Sequence, residues 1–146
     1  MTIGPNDLIT LDTSVLVHWV RQDRTGQHLR QAYRLDARNE RPLVSTITEG
    51  EIYGLAKCWR RGSAKSQTLG DILSELVRFE AGLPQVVDAY AELYFQDQSG
   101  GQNTGENDLW IAACARSSQS VLLTCDRDFL WMHPSWVRVE YVPEIP

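Results

Sequence analysis

One rhythm constrains this chain more than any other feature: short apolar stretches alternate with helix-periodic ones, and an acidic residue stands at or near the start of four of the helices. The acids are Asp12 in LITLDTSVL, Glu51 in VSTITEGEIYG, Asp108 in GENDLWIAA and Asp126 in VLLTCDRDF. Each is read as standing where a strand hands over to a helix. Strands that alternate with helices build a parallel sheet with helices packed on its faces. In such sheets ligands bind outside the carboxyl ends of the strands. Four carboxylates gathered on that edge cannot all stay ionised in close contact unless protons or a cation neutralise them. A hard divalent metal with oxygen ligands meets the requirement, and the chemistry it brings is metal-assisted phosphodiester hydrolysis.

The local pattern fills in the rest. Residues 8–11, 42–45 and 121–123 are short apolar or β-leaning runs and predict strands, the last of them central. Residues 83–86 read as another brief strand, and 137–141 alternate as a late edge strand. Helices are expected over 15–20, capped by Asp12-Thr13-Ser14, and over the Arg-rich stretch 25–38. Thr48-Glu49-Gly50-Glu51 fits a capping box, followed by Ile52, Leu55, Ala56 and Trp59 at helical spacing. Gly62-Ser63 breaks that helix, and Leu69, Ile72, Leu73 and Leu76 form the stripe of the next. A helix over 88–95, a loop over 97–105 rich in Gly and polar residues, and a helix over 109–115 complete the reading. The last helix is apolar nearly all round and is expected in the middle of the fold.

A chain of 146 residues fits one domain, residues 1–146, with a single core. Hydrophobic residues at 42% and charged residues at 23% exclude disorder. No apolar run approaches the ~20 residues that span a bilayer, and MTIGPNDLIT lacks the regions of a signal peptide, so a cytoplasmic protein is expected. Cys58, Cys114 and Cys125 show no CxxC spacing and read as reduced thiols, two of them core filler. The net charge of −5 argues against a protein that coats nucleic acid, although not against an enzyme that touches a few phosphates. Arginines crowd the first third, whereas no Lys or Arg falls between Arg78 and Arg116.

Taken singly, each acid has a purely structural explanation. Asp before a helix is a preferred N-cap, which fits Asp12 as well as catalysis does. Glu51 would close the box opened by Thr48. Asp108 would lie in a first helical turn, where the macrodipole favours any carboxylate. Asp126 and Asp128 both suit a turn before Phe129, and Asp126, nearer the strand end, is the one chosen. Capping does not explain why all four helix starts share one sheet edge. Ser14 and Thr124, beside Asp12 and Asp126, are expected either to orient the acids or to serve the turns.

The segments LDTSVLV, STITEGEIYG, GENDLWIAACA and LLTCDRDF, in that order from Leu8 to Val139, resemble the PIN-domain nucleases, and among them the VapC-type toxins of toxin–antitoxin pairs. The resemblance implies a three-layer α/β/α sandwich with a central parallel sheet. It puts Asp12, Glu51, Asp108 and Asp126 in the places of the family's acidic quartet, with Asp12 and Asp108 as core Mg²⁺ ligands, Mn²⁺ being a substitute. By the same resemblance the chain is an endoribonuclease with RNA as substrate, a cognate antitoxin as partner and a homodimeric assembly. Helices around 52–59 and 69–76 would wall the antitoxin groove. Three competitors stand beside it. A HAD-like phosphatase would want an acid where Ser14 stands, and a dinucleotide-binding fold would want glycines in the turn at Asp12-Thr13-Ser14-Val15. A PIN-like module without catalysis would only bind RNA or protein. Within the nuclease reading, a stand-alone RNA-processing enzyme is the alternative to a toxin.

Overall fold

The computed structural model describes residues 3–59 and 62–146, the side chains of 62–63 excepted. Its strands are β1 (Ile9–Leu11), β2 (Leu43–Ser45), β3 (Val77–Phe79), β4 (Val121–Thr124) and β5 (Arg138–Tyr141). They form one parallel sheet in the order β3-β2-β1-β4-β5. The order reverses between β1 and β4, which run side by side with Ile9 opposite Val121 and Leu11 opposite Leu123. That reversal is the switch point at which open α/β sheets bind ligands.

Among the described residues six α-helices cover the sheet: α1 (Thr13–Arg21), α2 (Arg24–Tyr33), α3 (Thr46–Cys58), α4 (Gly62–Ser74), α5 (Pro84–Gly100) and α6 (Glu106–Ser117). Alternation along the strands divides the core in two. Ile9, Leu11, Val121 and Leu123 pack with Leu16, Leu29, Ile52 and Leu69 under α1–α4. Leu122 and Val139 face the other way, onto Leu93, Leu109, Ile111 and Phe129. The result is the expected three-layer sandwich. Helix α6 is buried, as its apolar circumference requires: Leu109 and residues 111–115 are at most 1% exposed. Cys114 and Cys125 are buried thiols and Cys58 is exposed. Among the described residues no helix is long and apolar enough to cross a membrane.

Several expectations are corrected. Residues 83–86 are not a strand: Leu83 is the N-cap of α5, and Pro84 at its first position needs no amide partner. The strand in that region is β3, exposed and carrying Arg78 at the sheet edge. Helix α5 runs on to Gly100, so the loop is limited to 101–105; Val86, Ala89, Leu93 and Asp97 form the buried stripe that holds the added turns. Helix α2 stops at Tyr33 rather than 38, because Arg34 turns left-handed and sends Leu35 into the core. Gly62 and Ser63 open α4 instead of merely ending α3. The stripes of α3 and α4 serve the core at Ile52, Leu69, Ile72 and Leu76, which are buried, while Ala56, Trp59 and Leu73 are half-buried and Leu55 is exposed.

Candidate active site

Asp12 follows β1 directly and is only 3% exposed. Its backbone starts α1, yet its side chain makes no capping hydrogen bond to the helix interior. The Ser14 Oγ donates to Asp12 Oδ2 at 2.7 Å, and the Thr124 Oγ1 donates to the same oxygen at 2.7 Å. Each hydroxyl is itself fixed by a main-chain amide, Ser14 Oγ by Cys125 N–H at 3.0 Å and Thr124 Oγ1 by Asp126 N–H at 2.9 Å. The capping explanation thus fails for Asp12, and the two hydroxyls flanking the acids do orient one of them. Asp126 does serve its turn: its Oδ1 accepts Asp128 N–H at 2.9 Å and starts the 3-10 segment Arg127–Met132.

Glu51 sits elsewhere than the capping box would have it. The N-cap of α3 is Ser45, whose Oγ accepts Thr48 N–H at 3.1 Å, so Glu51 lies well inside the helix. Thr13 Oγ1 donates to Glu51 Oε1 at 2.6 Å, and Asn107 Nδ2 donates to Oε2 at 3.2 Å. Glu51 is therefore tied to the elements that carry Asp12 and Asp108, and its capping explanation falls as well. The other acid of that stretch, Glu49, points to Arg78 Nε at 2.9 Å. Local sequence does not mark Thr13 and Asn107 as partners of Glu51; their only signal is adjacency to Asp12 and Asp108. Asp108 reaches the site from the first turn of α6, which follows a helix and loop rather than a strand.

Asp108, Asp126 and Asp128 each bring a carboxylate oxygen within 4.8 Å of the others. Burial raises the Asp108 carboxyl to about 7, reinforced by the charges of Asp12, Asp126, Glu51 and Asp128. Burial also raises Asp12, against the lowering effect of Ser14, Thr124 and the Thr13 amide, with Asp126 adding repulsion. Among the described residues none of these five acids has an ion-pair partner. Acid oxygens crowded in this way, with two carboxyls held protonated-prone by burial and mutual repulsion, fit a hard divalent cation and its all-oxygen ligand preference. Asp128, passed over in favour of Asp126, stands in the same cluster.

Matching the sequence against curated proteins finds none that it resembles. Among solved structures, a chain of VapBC2 from Rickettsia felis bound to a DNA fragment from its promoter matches with a TM-score of 0.77 at 20% identity, over 92% of this chain and 98% of that one. DNA-bound VapBC from Salmonella typhimurium matches with a TM-score of 0.77 at 21% identity, over 92% and 97%. VapBC-5 from Mycobacterium tuberculosis, a member of the VapBC family of toxin–antitoxin systems, matches with a TM-score of 0.68 at 21% identity, over 94% and 99%. These likenesses establish the fold. The family model of the PIN domain matches residues 9–131, from the start of β1 to the turn behind Asp126, and the chain belongs to the PIN domain family.

Proposed function

We propose that this protein is a Mg²⁺- or Mn²⁺-dependent endoribonuclease and the toxin of a toxin–antitoxin pair. The observation that carries the reading is the set of uncompensated carboxylates at the β1/β4 switch point, with Asp108 raised to about 7. Asp12 and Asp108 are assigned as metal ligands, and Asp126 completes the site. A divalent cation held there by Asp12 and Asp108 would supply Lewis-acid chemistry, neutralising charge on the scissile phosphate and lowering the pKa of a water. Ser14 and Thr124 fix the orientation of Asp12, so that its carboxylate would be pre-set to hold a cation. Glu51, held at both oxygens by Thr13 and Asn107, orients the attacking water and takes its proton. The water oxygen would bond to phosphorus as the bond to the leaving ribose oxygen breaks, and that oxygen would take a proton from solvent.

The toxin assignment draws support from the VapBC neighbours, whose folds this chain shares nearly end to end. On this reading the partner is a cognate antitoxin, which an acidic site invites to insert a basic side chain through charge-assisted hydrogen bonds. A homodimer would give a cover to exposed apolar side chains such as Tyr53 and Leu55 on α3 or Val87 and Tyr94 on α5. The protein would act in the cytoplasm, where its RNA lies. The test has two arms. Purified protein should cleave RNA with Mn²⁺ or Mg²⁺ and stop when EDTA is added. Its expression should arrest growth, and co-expression of the gene beside it should relieve the arrest. Cleavage without growth arrest would leave a stand-alone RNA-processing nuclease; absence of cleavage would refute the enzyme.

A further inference from the structure

One buried acid has no place in the chemistry above. Asp97, in the last turn of α5, is 1% exposed. A carboxyl group at the carboxyl end of a helix sits at the unfavourable pole of the macrodipole. Among the described residues it has no ion-pair partner, and the chain holds no Lys or Arg between 78 and 116. A group so placed is costly to bury and needs hydrogen bonds to remain there. It has two: its Oδ1 accepts the main-chain N–H of Thr104 at 2.8 Å, and its Oδ2 accepts Gln98 Nε2 at 3.2 Å.

Thr104 is also gripped from the other side. Its Oγ1 accepts Trp131 Nε1–H at 2.9 Å. Trp131 belongs to the 3-10 segment that begins after Asp126 and contains Asp128. Thr104 is thus a junction between three elements. Its amide is held by α5, its hydroxyl by the segment that Asp126 caps and that carries Asp128, and its chain leads within four residues to Asp108 on α6. Left-handed Gly101 and Asn103 make the loop before it tight, so little slack separates the junction from α6.

We infer that Asp97, Thr104 and Trp131 are positioning residues that set the gap between Asp108 on one side and Asp126 and Asp128 on the other. The inference rests on the metal-site reading. The acids approach within 4.8 Å from two elements that a flexible loop alone would leave free to separate, and mutual repulsion pushes them apart. The hydrogen bonds through Thr104 oppose that push. A misplacement of about 1 Å at such a centre costs roughly a hundredfold in rate. Loss of a supporting hydrogen bond behind metal ligands lowers metal affinity by roughly ten- to a hundredfold.

The test compares full-length wild type with Thr104→Val, Thr104→Ser and Trp131→Phe. Valine keeps the shape and the amide of Thr104 but cannot accept from Trp131; serine can. Calorimetric titration with Mn²⁺, thermal melting, and RNA cleavage resolved into kcat and KM are measured on each. Thr104→Val and Trp131→Phe are expected to bind Mn²⁺ roughly tenfold more weakly, with kcat reduced and KM for RNA unchanged, while Thr104→Ser stays within about twofold of wild type. Wild-type Mn²⁺ affinity in Thr104→Val overturns the inference, as does an equal loss in Thr104→Ser. A wild type that binds no Mn²⁺ overturns the metal site beneath it, and the inference with it.

Discussion

Replacing Asp108 by Asn removes a carboxyl that the structure buries in part and sets against the charges of Asp12, Asp126, Glu51 and Asp128, and the effect on the metal-free protein can be worked out. The carboxyl binds its proton with a pKa of about 7 in the folded chain against an ordinary 3.8. An acid whose folded pKa is raised holds its proton more tightly when folded. It therefore costs stability progressively as pH rises from about 4 to about 7, and the cost is constant above that. At about 1.4 kcal/mol per pH unit the full difference amounts to roughly 4 kcal/mol. Asp108 is only partly buried, and solvent screening brings the figure to about 2 kcal/mol. Asn keeps the shape without titrating. In EDTA, urea unfolding should find Asp108→Asn gaining on wild type by about 1–2 kcal/mol between pH 5 and pH 8, with the gain levelling off above neutrality. For a chain of this size that corresponds to a rise in Tm of roughly 3–8 °C. A difference between the two proteins that stays constant over this range, or a wild type that gains on the variant toward pH 8, would refute the crowding of carboxylates.

Two further outcomes follow from named contacts. Thr124→Val deletes one of the two hydroxyls on Asp12 Oδ2 without changing the side-chain shape, and metal-dependent cleavage should fall by roughly ten- to a hundredfold while RNA binding in the absence of metal is retained. Gly26→Ala should destabilise the fold by more than about 2 kcal/mol in urea unfolding, because a Cβ at that first turn of α2 would collide with the His18 carbonyl oxygen of α1; a neutral result would mean that the two helices can part freely.

Much of this arrangement is written in local sequence. β1, β2 and β4 are apolar runs ended by polar residues, and buried central strands of a parallel sheet have to look like that. Helix α6 declares its burial by lacking a polar face. What local sequence conceals is set by tertiary contact. β3 carries an exposed Arg78 on an edge, so it lacks the apolar run that marks a core strand. Ser99 and Gly100 are poor helix formers, and they continue a helix whose buried stripe, Val86, Ala89, Leu93 and Asp97, is set by packing on α6. Both Ser45 and Thr48 could cap α3; Ser45 does so with its side chain fully buried, and the choice moves Glu51 from a cap into the helix body where it faces Thr13 and Asn107. The acids themselves could be picked out, but not the reason for each. Asp12 and Asp128 show it: one is not a side-chain cap although it stands at a cap position, and the other joins the cluster although it looks like a turn residue.

The central claim is that these carboxylates form one metal-dependent catalytic site, and the most direct measurement is cleavage of RNA by wild type and Asp12→Asn over a range of Mn²⁺ concentrations. Asn at 12 preserves the shape and leaves α1 intact, since the Asp12 side chain does not cap that helix. The account predicts that wild-type cleavage rises with Mn²⁺ and saturates. Asp12→Asn, folded and melting no lower than wild type in EDTA, should cut at most a hundredth as fast at every concentration. An Asp12→Asn protein that cleaves at the wild-type rate, or wild-type cleavage undiminished by EDTA, would contradict it.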